Sequence, residues 1–134
     1  MKQAIALEPD RGEWVYQFAL VLLQSNKPGE AVGALRHVID LEPQFPDAHN
    51  TLGVVLKQTG DIDRAIASYQ NALSLNPRFP EAANNLGVAL LERGLTGEAV
   101  DALERAVAAR PDYPEAWLVQ APKRLVKEFL ANRQ

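Results

Sequence analysis

The sequence predicts an all-α protein, a solenoid of stacked antiparallel helix pairs. Three observations carry that prediction. Residues 46–79 and 80–113 repeat each other at an offset of 34, sharing Pro46/Pro80, Ala48/Ala82, Asn50/Asn84, Leu52/Leu86, Gly53/Gly87, Val54/Val88, Leu56/Leu90, Gly60/Gly94, Ala65/Ala99, Ala72/Ala106 and Pro77/Pro111. Within each copy, apolar and small residues recur at helical spacing on both sides of a glycine turn. Prolines mark the ends of each copy. A fixed period of this length is the mark of a stacked-repeat architecture, because one hairpin cannot bury its own apolar face and needs the next copy.

Taken in order, residues 1–11 match the end of a preceding helix pair, with Ala4, Leu7 and Pro9 in register with Ala72, Leu75 and Pro77. The chain opening partway through a helix suggests a fragment of a longer array, or else a natural degenerate cap. Residues 12–45 form a diverged copy: Phe18, Ala19 and Leu22 stand where Leu52, Gly53 and Leu56 stand, and Ala31, Leu35, Val38, Leu41 and Pro43 complete it. Its turn is Asn26-Lys27-Pro28-Gly29, where Asn tolerates the left-handed backbone that glycine adopts freely. In the copies at 46–79 and 80–113, Pro46 and Pro80 suit a helix start, where a missing N–H costs nothing. Gly60 and Gly94 close the first helix. Asp61 is the expected cap of the second helix in one copy and Thr96 in the other. Pro77 and Pro111 end the second helices. Gly53 and Gly87, with Ala65 and Ala99 across the turn, predict a close approach of the two helices.

The pattern Leu-Gly…Leu…Gly-Asp…Ala…Tyr…Ala…Pro over Leu52 to Pro77 resembles the tetratricopeptide repeat. The resemblance extends over roughly residues 1–117, with three full copies. It implies a right-handed α-solenoid whose first helices line a concave groove. Ala19 and Asn26 depart from the two glycines of the pattern in the first copy, and His49 and Ala83 stand where the family often has an aromatic. Residues 114–134 begin a fourth copy, with Trp117 at that aromatic position, and then depart at Gln120-Ala121-Pro122. Lys123 to Asn132 is amphipathic, with Leu125, Val126, Phe129 and Leu130 on one side. Residues 121–134 carry net charge +3 against −6 for the rest. This stretch reads as a capping helix over the last repeat, or as a basic helix that docks an acidic partner or a neighbouring subunit.

Composition narrows the function classes. A net charge of −3 and pI of 5.4 argue against nucleic-acid binding, which needs a basic face. There are no cysteines, so thiolate chemistry and disulfides are excluded. No apolar run approaches the ~20 residues that cross a bilayer, and MKQAIALEPD lacks a secretory pattern. A cytoplasmic location is therefore expected. The two histidines, His37 and His49, have no spacing for shared metal ligation. No phosphate loop or nucleophile triad appears, and Asp61/Asp63 reads as capping charge. The expectation is a non-enzyme without cofactors.

What remains is the groove that the resemblance implies. Its lining would include Glu13, Asp47, Glu81 and Glu115, then Tyr16, Asn50, Asn84 and Leu118, then Gln17, Thr51 and Asn85, then Leu20, Val54 and Val88, with Leu23, Lys57 and Leu91 and then Gln24, Gln58 and Glu92 further along. The acidic row also has a purely structural explanation, since a carboxylate in a first helical turn favours the macrodipole by about 0.3–1 kcal/mol. The asparagines are more suggestive, because Asn is a mediocre helix former and amides can bond the backbone of an extended peptide. An asparagine-lined groove is loosely similar to the repeat region of O-linked N-acetylglucosamine transferases. Family members that bind chaperone tails hold a carboxylate with groove lysines and arginines. Here Lys57 is the only base among the lining positions, which disfavours an acidic tail. The expected function is an interaction scaffold for a peptide segment of apolar and basic character. Alternatives are a substrate-recruiting or regulatory region of a larger enzyme, such as a glycosyltransferase or sulfotransferase, and homo-oligomer formation through the terminal helices.

Overall fold

A computed structural model describes residues 11–109. Six helices follow one another: α1 (Arg11–Gln24), α2 (Pro28–Leu41), α3 (Pro46–Gln58), α4 (Ile62–Leu75), α5 (Pro80–Glu92) and α6 (Thr96–Ala109). They pack as three hairpins, α1/α2, α3/α4 and α5/α6, stacked through α2 on α3 and α4 on α5, and α3 also touches α5 directly. The expected helices at 1–8 and 121–134, with Pro111, Glu115 and Leu118, lie outside the described residues.

The three hairpin turns are one structure. Asn26, Gly60 and Gly94 have φ of 60°, 93° and 81°. In each turn the next residue's N–H reaches back five positions, Lys27 to Leu22 O at 2.9 Å, Asp61 to Leu56 O at 2.8 Å and Leu95 to Leu90 O at 2.9 Å. This left-handed closure satisfies carbonyls that the helix end leaves open, and Asn26 achieves it as the glycines do. Pro28, Pro46 and Pro80 each open a helix, as the sequence predicts.

The caps differ from expectation in one copy. Asp61 caps α4, its side chain accepting from Arg64 N at 3.3 Å. Thr96, expected as a cap, is instead the first residue of α6, and the carbonyl of Leu95 accepts the first helical bond, from Ala99 N at 3.0 Å. The turn geometry places the residue after Gly94 at the cap position, as it places Asp61 after Gly60, and in this copy that residue is leucine.

The core is small-residue rich. Ala19, Ala31, Ala48, Ala65, Ala72, Ala82, Ala89 and Ala99 are fully buried, around larger Tyr69, Leu35, Leu103, Val38 and Val55. Phe18 departs from its counterparts: Leu52 and Leu86 are 7% and 6% exposed, whereas Phe18 is 54% exposed. The close approach is real in the second and third hairpins: the nearest side chains, Tyr69 and Leu103, lie one turn beyond Ala65 and Ala99, and Ala99 O stands 3.4 Å from where a Cβ on Gly87 would be. A Cβ on Gly53 would sit 2.5 Å from Tyr69 Cε1, and one on Gly87 would overlap the Leu103 side chain. Gly97, by contrast, has nothing within 4 Å of where its Cβ would be.

These environments give opposite expectations. Gly53→Ala overpacks against the Tyr69 ring and should lower unfolding stability by about 1–3 kcal/mol. Gly97→Ala, in an open first turn, should raise stability by up to about 1 kcal/mol. Urea denaturation of the two variants beside the parent checks both.

Candidate binding groove

The first helices α1, α3 and α5 lie side by side, and polar side chains link each to the next. Tyr16 OH is 2.9 Å from Thr51 Oγ1 across α1 and α3. Asn85 Nδ2 donates to Asn50 Oδ1 at 3.1 Å across α3 and α5. Lys57 Nζ pairs with Glu92 Oε2 at 3.0 Å further along the same two helices. The two hydrogen bonds join residues 35 apart, as does the ion pair between positions 57 and 92, whereas the sequence repeats every 34. The neighbour of a groove residue is therefore not its repeat equivalent but the residue after it.

Between α3 and α5 the ladder encloses a hollow of 370 Å³, lined by Val54, Lys57, Gln58, Asn85, Val88 and Glu92, with Tyr69 of α4 beneath. Six of the expected lining residues, Val54, Lys57, Gln58, Asn85, Val88 and Glu92, thus meet at one place. Burial raises the Tyr69 hydroxyl well above the ordinary tyrosine value, and the nearby Glu92 carboxylate adds to this. The hydroxyl stays protonated at physiological pH. Tyr69 belongs to this hollow without having been among the expected lining residues. The one sequence signal for Tyr69 is that a ring stands opposite Gly53, where only a missing side chain leaves it room.

At the other end of the groove, α1 and α3 bring Tyr16, Thr51, Asp47 and Glu13 together. The Tyr16 ring packs on Phe45 with centroids 5.0 Å apart. Its hydroxyl is raised above the ordinary value by burial, opposed by the Thr51 hydrogen bond and reinforced by Asp47 and Glu13. Asp47 is raised above the ordinary carboxylate value, first by desolvation and then by Glu13 and Glu81. The three carboxylates thus form a row close enough to repel, despite the favourable helix starts they occupy. Gln17 donates to Glu13 Oε2 at 2.9 Å. Leu20 and Leu91 are half-buried. Asn84 departs from its equivalent Asn50: it is buried at 8% exposure, and the amide that partners Asn50 is Asn85.

His49 is buried, with Nε2 3.1 Å from Pro43 O, while His37 is exposed on α2. Among the described residues there is no group of three His, Cys, Asp or Glu that could hold a metal ion, and no helix long and apolar enough to cross a membrane.

The hairpin turns, the 34-residue period and the groove of first helices define a helical-repeat protein. The tetratricopeptide repeat family matches residues 16–61 and 50–114, and the chain belongs to that family. It has the fold of MamA, with 21% identity and a TM-score of 0.82, covering 97% of this chain and 74% of that one. It is similarly like the type III secretion chaperone SycD of Yersinia enterocolitica, solved with a peptide of the translocator YopD: 23% identity, TM-score 0.83, covering 90% and 95% of the two chains. YrrB, described as a TPR protein with an unusual peptide-binding site, gives 23% identity and a TM-score of 0.75 over 82% of this chain and 57% of that one. No curated protein sequence matches the chain.

The row of carboxylates has a measurable consequence. In Glu13→Gln/Glu81→Gln, the Asp47 titration followed by NMR should move down toward the ordinary carboxylate range while staying above it, because desolvation remains. The sign follows from like-charge repulsion, which favours the protonated acid.

Proposed function

We infer that this chain is a non-catalytic protein-interaction scaffold that binds an extended peptide segment of a partner along the groove of α1, α3 and α5. The observation that carries this reading is the 370 Å³ hollow, where apolar Val54 and Val88 lie between the Asn50–Asn85 amide pair and the Lys57–Glu92 ion pair. An apolar peptide side chain fits over the two valines. The amides offer a donor and an acceptor to peptide backbone, which confers affinity without requiring a particular side chain. The Glu13, Asp47 and Glu81 row favours a lysine or arginine of the same peptide. A peptide carboxylate is disfavoured, because Lys57 is already paired with Glu92. The peptide-bound chaperone SycD supports the reading, as does the yeast Sti1 TPR2A–B domain in complex with an Hsp90 peptide, similar at 16% identity with a TM-score of 0.81.

Random peptides displayed on phage and selected on the purified chain should be enriched in apolar residues flanked by lysine or arginine. Asn50→Ala/Asn85→Ala should weaken the selected peptides by about tenfold, equivalent to ~1.4 kcal/mol. Their affinity should also rise as pH increases through the elevated Asp47 titration, since that row then gains negative charge. Peptides that bind the double variant as tightly as the parent would remove the groove from consideration.

A further inference from the structure

Tyr69 is a buried residue with an unused end. Its ring lies against α3 at Gly53, and 1% of the residue is exposed. A buried phenol ordinarily finds a hydrogen-bond partner, yet the Tyr69 hydroxyl has none within the protein. Among the described residues no side-chain oxygen or nitrogen is both sealed from solvent and unpartnered. The sliver of Tyr69 that stays accessible therefore includes its hydroxyl, and the space it meets is the hollow between α3 and α5. Packing alone does not call for that oxygen. The equivalent positions in the copies before and after are Leu35 and Leu103, both as buried as Tyr69. Among the described residues the hydroxyl occurs in one copy only.

The groups that share the hollow limit what can satisfy it. Burial and the nearby Glu92 carboxylate keep the phenol protonated, so it can donate. Glu92 gives Oε2 to Lys57 at 3.0 Å, which leaves its second oxygen as an acceptor. Donor and acceptor thus stand in one hollow, behind the apolar walls of Val54 and Val88. An entering ammonium would meet Lys57, and an entering carboxylate would meet Glu92. Either charge would also lose water on the way in. A wholly apolar side chain would leave the hydroxyl dry and unpaired, which costs free energy. Serine and threonine carry their hydroxyls on the first side-chain carbon, too short to reach past two valines. A neutral carboxamide on two methylenes meets each requirement.

We propose, resting on the groove function inferred above, that this hollow is a pocket for a glutamine side chain of the bound peptide, with Tyr69 and Glu92 recognising its carboxamide. The glutamine methylenes lie over Val54 and Val88. Its carbonyl accepts from the Tyr69 hydroxyl, and its N–H donates to the free oxygen of Glu92. A site built to hydrogen-bond a group rejects analogues that lack it, because its own polar atoms are then left unpaired. The pocket also sets position along the groove. The amide pair Asn50–Asn85 can bond peptide backbone at any register, whereas a hydroxyl present in one copy fixes which peptide residue sits between α3 and α5. Gly53 is part of the arrangement, since the ring stands where a Cβ on that residue would be.

Tyr69→Phe removes the hydroxyl and keeps the ring. Its urea midpoint should equal or exceed that of the parent, because the oxygen it loses has no partner in the protein. The probe is one random peptide library on phage, selected in parallel on the parent and on Tyr69→Phe. Glutamine should dominate one position on the parent, and that preference should vanish on the variant. A synthetic peptide of the parent consensus should bind Tyr69→Phe about tenfold more weakly, the loss of one buried hydrogen bond. The same peptide with methionine in place of glutamine, which keeps the length, should bind both proteins equally. Backbone amide shifts at Val54 and Val88 separate this pocket from the groove as a whole. A consensus without glutamine, or an affinity indifferent to Tyr69→Phe, in peptides that still shift both valines overturns the glutamine pocket and leaves the groove standing. A lowered urea midpoint for Tyr69→Phe overturns it too, since the hydroxyl would then serve the fold. Peptides that bind without shifting either valine overturn both.

Discussion

The separation of the two helices in each hairpin governs everything built on it. Gly53 lets the Tyr69 ring lie against the backbone of α3, and Gly87 does the same for Leu103 against α5. Because these contacts admit no side chain, the second helix sits deep behind the first, and the first helix turns its other side outward. That outward side is the groove. The same closeness explains why the core is largely alanine: helix axes this near leave space for methyl groups and only a few large residues. A larger residue at Gly53 would do more than strain one contact, because it would displace the ring that underlies the groove hollow.

The groove then depends on how one hairpin sits on the next. The three polar links from first helix to first helix, Tyr16–Thr51, Asn50–Asn85 and Lys57–Glu92, are spaced along its length. They are partly exposed, and as stability contributions they are modest. Their greater effect is on position, since each ties a side chain that would otherwise be free and holds the hollow between Val54 and Val88 to one shape. A preorganised hollow loses less entropy when a peptide enters it.

Much of this was legible in the letters, for identifiable reasons. Helix ends follow from Pro46, Pro80, Gly60 and Gly94, whose backbone preferences are local, and Asn26 could be matched to the glycines on the same physical ground. The Leu95 cap was not legible, because a one-residue shift in a turn depends on where its hydrogen bonds close. The pairing at 35 was hidden for a different reason. A repeat alignment compares equivalent residues, and the contact between copies involves non-equivalent ones whose offset comes from the rotation between hairpins. Thus Asn50 was expected in one row with Asn84, yet its hydrogen-bond partner is Asn85. Phe18 matched Leu52 in register but not in burial, because equivalence in sequence fixes a residue's place on its own helix and not what packs over it.

The central claim is that the face made by α3 and α5 is where a partner binds. Backbone amide shifts in an NMR titration with a selected peptide test it most directly. The account predicts that the largest shifts cluster at Val54, Lys57, Asn85 and Val88, with the outer sides of α2 and α4 unaffected. Shifts concentrated on Arg36, Asp40 and Asn71, which border the hollow at the α2–α4 side, would contradict it.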